Sequence, residues 1–206
     1  TREVISGDLI SNMTSQIEAS QQAAMMPHHL IKNRLFGLNH YMPLVAVAAG
    51  SEESHVIKYG VWGSGSVASS KQSARAHIAA YKGSVVATTI GADAEISDGN
   101  LIGIAYSNVR SSLRFNERFG KSRINSHILS LYYQRELGND LSAQLMGSLS
   151  GSEIRNKVNI EKKGKSYAGS CGVEGDISYR HLFGNGMQLI STMGARYHYI
   201  RGGLYK

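Results

Sequence analysis

Polar and apolar residues alternate with a period of two over most of the chain beyond about residue 55. In the clearest case, residues 141–150, leucine, alanine and glycine fill the odd positions and serine, glutamine and methionine the even ones. Successive side chains of a strand point to opposite faces, so each such segment reads as a strand with one apolar face. The pattern predicts seven strands: Val56–Ala68, Ser84–Ile96, Leu101–Leu113, Ile124–Leu137, and three more over about 141–150, 166–180 and 187–199.

The predicted strands are longer than the ~5–6 residues usual in globular proteins and suit the ~9–11 residues of a tilted membrane strand. Tight connections rich in Gly, Asn and Asp alternate with longer polar ones. The tight ones are 97–100, 138–140 and 184–186, and the long ones are 69–83, 114–123 and 151–165. Short turns at one end and long loops at the other indicate an all-β fold, an antiparallel transmembrane β-barrel. The barrel is partial, because the sequence shows only about seven strands.

The first 54 residues follow a different pattern. Apolar residues recur at roughly helical spacing from Ser6 to about Met26, and the remaining faces are polar. Pro27 is expected to break or restart this helix, and His28–Leu38 would form a second short helical piece before a connection over 41–54. We therefore expect two parts, a helical and linker segment over 1–54 and a partial barrel over 55–206.

Composition narrows the function classes. The chain has no apolar run of ~18 residues, so a helical membrane protein is excluded, and its one cysteine, Cys171, excludes a disulfide framework. We expect neither a cofactor nor a metal site, and we expect Cys171 to be a small packed residue. The net charge of +7 concentrates in the three long loops, which are predicted to hold 12 of the 22 Lys and Arg residues. These loops would bind lipopolysaccharide or another anionic surface, or they would serve only as solvated loops. Few aromatic residues accompany the basic ones, so no nucleic-acid partner is expected.

Several local stretches resemble the β-domain of autotransporters, the type V secretion family. Lys58-Tyr59-Gly60-Val61-Trp62-Gly63-Ser64-Gly65 is similar to that family's first strand, with its aromatic Gly-Val-Trp. Gly91-Ala92-Asp93 before a tight turn and Gly103-Ile104-Ala105 after it resemble the hairpin of the second and third strands. Asn33-Arg34-Leu35 lies where the family often has an Arg-Leu pair. The surface cell antigens of obligate intracellular bacteria look most similar.

The resemblance implies an outer-membrane translocator that anchors the chain and assists export of an upstream passenger to the cell surface. In that family a polar helix runs through the barrel lumen. The implied partners are outer-membrane lipid and lipopolysaccharide, the barrel assembly machinery and the chain's own passenger. The family's barrel has twelve strands, and seven would leave two open edges, so we expect a segment of a longer chain or a truncated product. The absence of a secretory signal fits either a mature form or such a downstream segment.

Catalytic chemistry is not expected. Glu174 and Asp176 share one strand face, where Arg180, Arg196 and His198 would neutralise them in the lumen. The neighbouring His28 and His29 are expected to be solvated. Some family members cleave their passenger inside the pore, and Asn12 with Asp93, Glu174 or Asp176 is a hypothetical equivalent.

The residues singled out are therefore structural. Lumen-facing positions are Glu174, Asp176, Arg180 and Arg196, and lipid-facing or girdle positions are Trp62, Tyr106, Tyr133, Tyr179 and Tyr197. Two alternatives stay open at this point. One is another outer-membrane barrel, a porin or an adhesin, and the other is a soluble β-rich binding protein whose apolar faces meet in a core.

Overall fold

The computed structural model describes residues 25–35, 58–72, 81–115, 121–138, 140–158, 162–183 and 187–202. Residues 25–35 are helical and are named α1. The strands are β1 Lys58–Gln72, β2 Tyr81–Ser97, β3 Asn100–Phe115, β4 Lys121–Glu136, β5 Leu141–Val158, β6 Lys162–Leu182 and β7 Gln188–Gly202. Pro27 lies within α1, so the helix does not break at this proline over residues 25–35, and whether it restarts here depends on residues before 25. The predicted helix before residue 25 and the connection over 41–54 lie outside the described residues.

The seven strands form one antiparallel sheet in the order β1 to β7, and each strand pairs with the next along the chain. This up-and-down connectivity is the one predicted from the alternating turns. At the β2–β3 turn Gly99 has φ of 72°, a left-handed conformation that glycine adopts without the steric cost of a Cβ atom. The side-chain amide of Asn100 donates a 2.7 Å hydrogen bond to Ser97 Oγ across the same turn.

The strands extend further than predicted at the end opposite the tight turns. Only residues 159–161 separate β5 from β6, so the predicted long loop over 151–165 is wrong. Twelve basic residues were predicted to lie in the three long loops. Ten of them lie in strands, and the other two, Arg75 and Arg118, are outside the described residues. The cause is that the outward positions of these strand ends carry polar or charged residues and glycine. The hydrophobic alternation disappears there while the backbone ladder continues.

The sheet curves around α1. Side chains of α1 contact residues of β2, β3, β4 and β5 in two apolar clusters, with Trp62 of β1 packed at the margin, and α1 also forms ion pairs with β6. Six flat strands would span about 24 Å at their usual spacing, whereas a helix with its side chains is ~10–12 Å across. One helix reaches all six strands only from the concave side of a curved sheet. The predicted partial barrel with a helix on its inner side is confirmed.

The two faces of the sheet differ as the alternation predicted. The inner face is mostly polar and buries serine, threonine and glutamine beside a few apolar residues that pack on α1. Neighbouring strands satisfy several of these groups mutually, as between Thr89 Oγ1 and Ser107 Oγ at 2.8 Å, whereas Ser111 Oγ and Ser130 Oγ are buried without a partner among the described residues. The outer face exposes large apolar side chains, including Val61, Ile90, Ile104, Leu131, Leu149 and Val173. Within the described residues, no helix has the length and apolar character needed to cross a membrane.

Candidate functional site: the helix against the inner face

The first contact region is an ionic group that joins α1 to β6 and β7, here named the Glu174 cluster. It comprises His28, Lys32, Glu174, Asp176 and Arg196. His28 and Lys32 are four residues apart and therefore share one side of the helix. Lys32 Nζ contacts Glu174 and lies 2.8 Å from Asp176 Oδ2, and His28 Nδ1 lies 2.8 Å from Glu174 Oε2.

Glu174 is the centre of this cluster. Its side chain is only 4% exposed, and an isolated carboxylate would be costly at such a position. Arg196 of β7 donates from Nε and Nη2 to Glu174 Oε2 at 2.7 and 2.6 Å. Cations from the helix and from β7 thus converge on one carboxylate, which ties α1 to the wall and β6 to β7.

The second contact region joins α1 to β2 and is named the Asp93 cluster, formed by Arg34, Asp93, Tyr132 and Trp62. Arg34 donates to both carboxylate oxygens of Asp93, from Nε at 3.3 Å and from Nη2 at 3.4 Å. Tyr132 donates its hydroxyl to Asp93 Oδ2 at 3.2 Å. Trp62 Nε1 donates to the Tyr132 hydroxyl at 2.9 Å. The chain of bonds runs from α1 through β2 and β4 to β1.

Two cross-strand glycines make space for the aromatic rings of this cluster. Trp62 is directly opposite Gly91, and Tyr132 is directly opposite Gly103. A Cβ atom on Gly91 would lie 2.5 Å from Trp62 Cε2, and one on Gly103 would overlap the Tyr132 ring. The rings therefore lie flat along the inner wall instead of projecting into the volume that α1 occupies.

The four predicted lumen residues all lie on even positions of β6 and β7, the inner side of the sheet. Glu174, Asp176 and Arg196 come together in the Glu174 cluster, where Lys32 joins them. Arg180 is apart from them and nearer the tight turn, with Nε 3.8 Å from Asp140 Oδ1. The expected ion network therefore includes three of the four, and His198 lies over Gly172 rather than on a carboxylate.

Of the predicted lipid-facing residues, Tyr106, Tyr179 and Tyr197 are exposed on the outer face. Tyr133 is half-buried there and donates to Asn100 Oδ1 at 2.7 Å. The interpretation of Trp62 as a lipid-facing residue is wrong, since its indole packs on the inner cluster of Ile31, Leu35 and Tyr132. Cys171 is exposed on the outer face, so the interpretation of it as packed is also wrong.

Sequence reasoning missed the helix side of the site. His28 was expected to be solvated, but it is 3% exposed, and only His29 is exposed. The spacing of His28 and Lys32, together with Ile31 and Leu35 on the buried side, is a helical signal that could have identified them. Tyr132 carries no such signal, because its importance depends on facing Gly103 across strands.

Ser148, His28 and Glu174 also have the connectivity of a nucleophile, a base and an orienting acid. His28 Nε2 is 3.1 Å from Ser148 Oγ, and its Nδ1 contacts the carboxylate. However, Ser148 and Glu174 are buried beneath α1 and His28 is buried on its wall-facing side, and Lys32 and Arg196 also bind the carboxylate. Among the described residues, the arrangement is a buried interface between the helix and the wall.

The chain matches the family model described as the autotransporter beta-domain over residues 61–206. It belongs to the autotransporter β-domain family. Surface cell antigen sca1 of Rickettsia conorii is 31% identical over 95% of this chain, and sca2 of the same organism is 31% identical over 100% of it. The translocator domain of autotransporter NalP from Neisseria meningitidis has the same fold, with a TM-score of 0.64, 14% identity, and coverage of 90% of this chain and 61% of that chain.

This autotransporter β-domain is an outer-membrane translocator domain, a transport module. It spans 11% of the length of both sca relatives. The two alternatives from sequence are not favoured. A soluble β-protein would bury its apolar faces against each other, yet here they are exposed, and the inner face of an open porin would not be filled by a helix.

Proposed function

We propose that this domain anchors a longer surface antigen in the outer membrane and exports its passenger through the pore that the inner face lines. In this proposal, residues 1–54 follow the passenger into the pore and residues 55–206 form the wall. The supporting observation is the double attachment of α1 to the wall. Arg34 binds Asp93 on one side of the helix, and Lys32 binds Glu174 and Asp176 on the other.

The attachment is suited to a helix that arrives last. Both clusters place cations on α1 and carboxylates on the wall, where Arg196 offsets one of the three carboxylates. The empty pore would therefore still present an excess of carboxylates at these clusters to an incoming basic helix. Apolar packing of Leu30, Ile31 and Leu35 on residues of the wall then fixes the position of the helix. A plug held in this way closes the pore after export while leaving the upstream chain outside.

The outer face is proposed to contact the lipid. Tyr106, Tyr133, Tyr179 and Tyr197 would lie in the apolar belt or in its aromatic girdles, where rings with one polar tip are favoured. Lipopolysaccharide is the proposed partner of this surface, and the barrel assembly machinery is the proposed partner for its insertion. We further propose that the domain has no enzymatic activity, because Ser148 is enclosed beneath α1 and Glu174 is engaged by two other cations.

A cysteine crosslinking trap in the full-length protein tests the proposal. In a Cys171→Ser background, His28→Cys and Ser148→Cys would place two thiols on either side of the space that the imidazole of His28 fills, since His28 Nε2 is 3.1 Å from Ser148 Oγ. Because that ring separates the two Cβ atoms by more than a disulfide spans, we expect a short bismaleimide to join the thiols in cells whose passenger is degraded by protease added outside. The matched control His29→Cys with Ser148→Cys should not be crosslinked, since His29 is exposed on α1.

The two readouts separate two failures. A passenger that resists external protease, in a protein absent from the outer-membrane fraction, would overturn the export function. A passenger that is on the surface, with equal crosslinking of the His28 and His29 variants, would overturn only the placement of the helix.

A further inference from the structure

The register of the sheet brings basic residues of five successive strands side by side at one end of the outer face. Lys71 of β1 is opposite Lys82 of β2, which is opposite Arg114 of β3. Arg114 is opposite Lys121 of β4, and Lys121 is opposite Lys157 of β5. These five residues are named the cationic row. Lys121 is half-buried and the other four are exposed.

The row lies on the outer face and at the end away from the tight turns. Leu113 and Ser122, the sequence neighbours of Arg114 and Lys121, are 2% and 1% exposed on the inner face, so the two basic side chains point outward. The strands are 15–21 residues long, more than the ~9–11 needed to cross the hydrocarbon. Their surplus length carries the row beyond the apolar residues toward the end that faces the cell exterior in outer-membrane barrels.

A second set of cations lies two residues closer to the apolar belt. Arg123 of β4 is opposite Arg155 of β5, which is opposite Lys165 of β6. Glu153 is the single carboxylate among the described outer-face side chains of this end, and Arg155 and Lys165 already bind it. The surface thus carries a large excess of positive charge.

This arrangement has an energetic cost for the isolated protein. Like charges directly opposite each other in a sheet are destabilising, and the row contains four such pairs in succession. Neighbouring strands are about 4.8 Å apart, so the charges lie too close together for salt to screen them fully. A ligand with several anionic groups would remove the repulsion.

The apolar rows further along the same strands define the rest of the ligand. Tyr106, Leu129 and Leu149 are aligned by the register of β3, β4 and β5, and all three are 43–64% exposed. A molecule that covers both regions has anionic groups at one end and hydrocarbon at the other. Nucleic acid fits less well, because among the described side chains no aromatic ring lies within the cationic row for bases to stack on.

We propose that the cationic row binds the phosphate groups of phosphorylated lipid in the outer leaflet, with the acyl chains against the apolar residues below. The proposal rests on the outer-membrane function proposed above. It turns the general expectation of contact with lipopolysaccharide into a defined surface on β1–β5. Neutralisation by phosphate groups would also stabilise the strand ends, which would link outer-leaflet composition to the stability of the barrel.

The test uses the full-length protein purified from outer membranes in mild detergent, with lipopolysaccharide as the probe. We expect lipopolysaccharide to raise the midpoint of thermal unfolding, and we expect enzymatically dephosphorylated lipopolysaccharide to have little effect. The variant Arg114→Gln/Lys121→Gln/Lys157→Gln should bind about 100-fold more weakly, from about 1 kcal/mol for each cation removed. The charge-conserving Lys121→Arg/Lys157→Arg and the variant Arg135→Gln, which removes a cation from the other end of β4, should bind as the parent does.

Equal stabilisation by intact and dephosphorylated lipopolysaccharide would overturn the proposal without any variant. Equal stabilisation by heparin, which is anionic but has no acyl chains, would overturn the assignment to lipid. Fractionation of the same cells keeps the proposed function separate. A protein that is in the outer membrane and is insensitive to lipid phosphate contradicts this inference alone, whereas a protein absent from that membrane contradicts the function beneath it.

Discussion

Trp62 of β1 donates its indole N–H to the hydroxyl of Tyr132 of β4, 2.9 Å away and three strands along the sheet. The bond connects the first strand to the centre of the inner face without passing through the backbone ladder. Tyr132 then donates to Asp93, which Arg34 of α1 binds. The Tyr132 hydroxyl therefore accepts a hydrogen bond from Trp62 and donates one to Asp93, the carboxylate that binds Arg34 of the helix.

Removal of this hydroxyl should be costly. Tyr132→Phe would leave Trp62 Nε1 without its acceptor and Asp93 with one donor fewer, at about 1–3 kcal/mol of unfolding free energy for the buried groups. Tyr133→Phe is the matched control, because Tyr133 is on the outer side of the same strand and bonds only to Asn100 near the turn. Urea unfolding of the membrane-inserted protein would measure both. Equal shifts for the two variants would contradict a central role for Tyr132.

The aromatic rings need the glycines opposite them. Gly103→Ala would place a methyl group against the Tyr132 ring and displace it toward α1, and overpacking of this kind typically costs ~1–3 kcal/mol. Gly147→Ala should be neutral, since a Cβ atom there meets nothing within 4 Å. The fraction of protein that shows heat-dependent migration would report folding. A loss of similar size in both variants would point to strand propensity instead of ring packing.

Glu174→Gln should loosen the helix. The change removes the charge on which Lys32 and Arg196 converge, and breaking a buried pair usually costs ~3–5 kcal/mol. Glu153→Gln, at a solvent-exposed ion pair with Arg155, should have little effect, because exposed pairs contribute little to stability. Protease sensitivity of the α1 segment would measure the difference. A helix that is equally protected in both variants would show that the apolar contacts hold it alone.

The cost of a charged substitution on the outer face should depend on its depth in the membrane. Leu131 and Leu137 are 58% and 50% exposed, but Leu131 is inside the apolar belt and Leu137 is at the tight turn. Arginine on the lipid face costs ~2–4 kcal/mol at the midplane and ~0–1 near the interface. Leu131→Arg should therefore lower the inserted fraction more than Leu137→Arg does. Equal insertion of both variants would contradict a lipid-facing outer surface.

Ser148→Ala tests for catalysis in the pore. Because Ser148 is enclosed beneath α1, we expect the variant to process and export its passenger at the parental rate. The apparent size of the passenger on blots is the measurement. Altered cleavage in the alanine variant, with normal insertion, would reveal a nucleophilic role for this hydroxyl.

The alternation of residue types by itself determined the class of fold and the two faces of most strands. In β5, the separation of even and odd positions onto two faces follows directly from serine and glutamine alternating with leucine. The burial of the serine and glutamine face follows only once the sheet is a barrel wall whose leucine face meets lipid. The tight turns and the seven strands follow in the same way, because turn chemistry and period are local properties. The inner position of Glu174, Asp176 and Arg196 also follows, since each has apolar residues on the opposite face of its strand.

Only the tertiary structure decided which distant residues meet. Trp62 shares its strand face with small residues, and Val61 lies on the opposite face, so the sequence does not show which face points inward. The pairing of Trp62 with Gly91 makes the inner position possible. His28 and Lys32 gain partners only when the curved sheet brings β5 and β6 to the helix. The basic residues looked like loop charges, yet the register of five strands aligns them in one row. Register is a property of strand pairs, and no single segment encodes it.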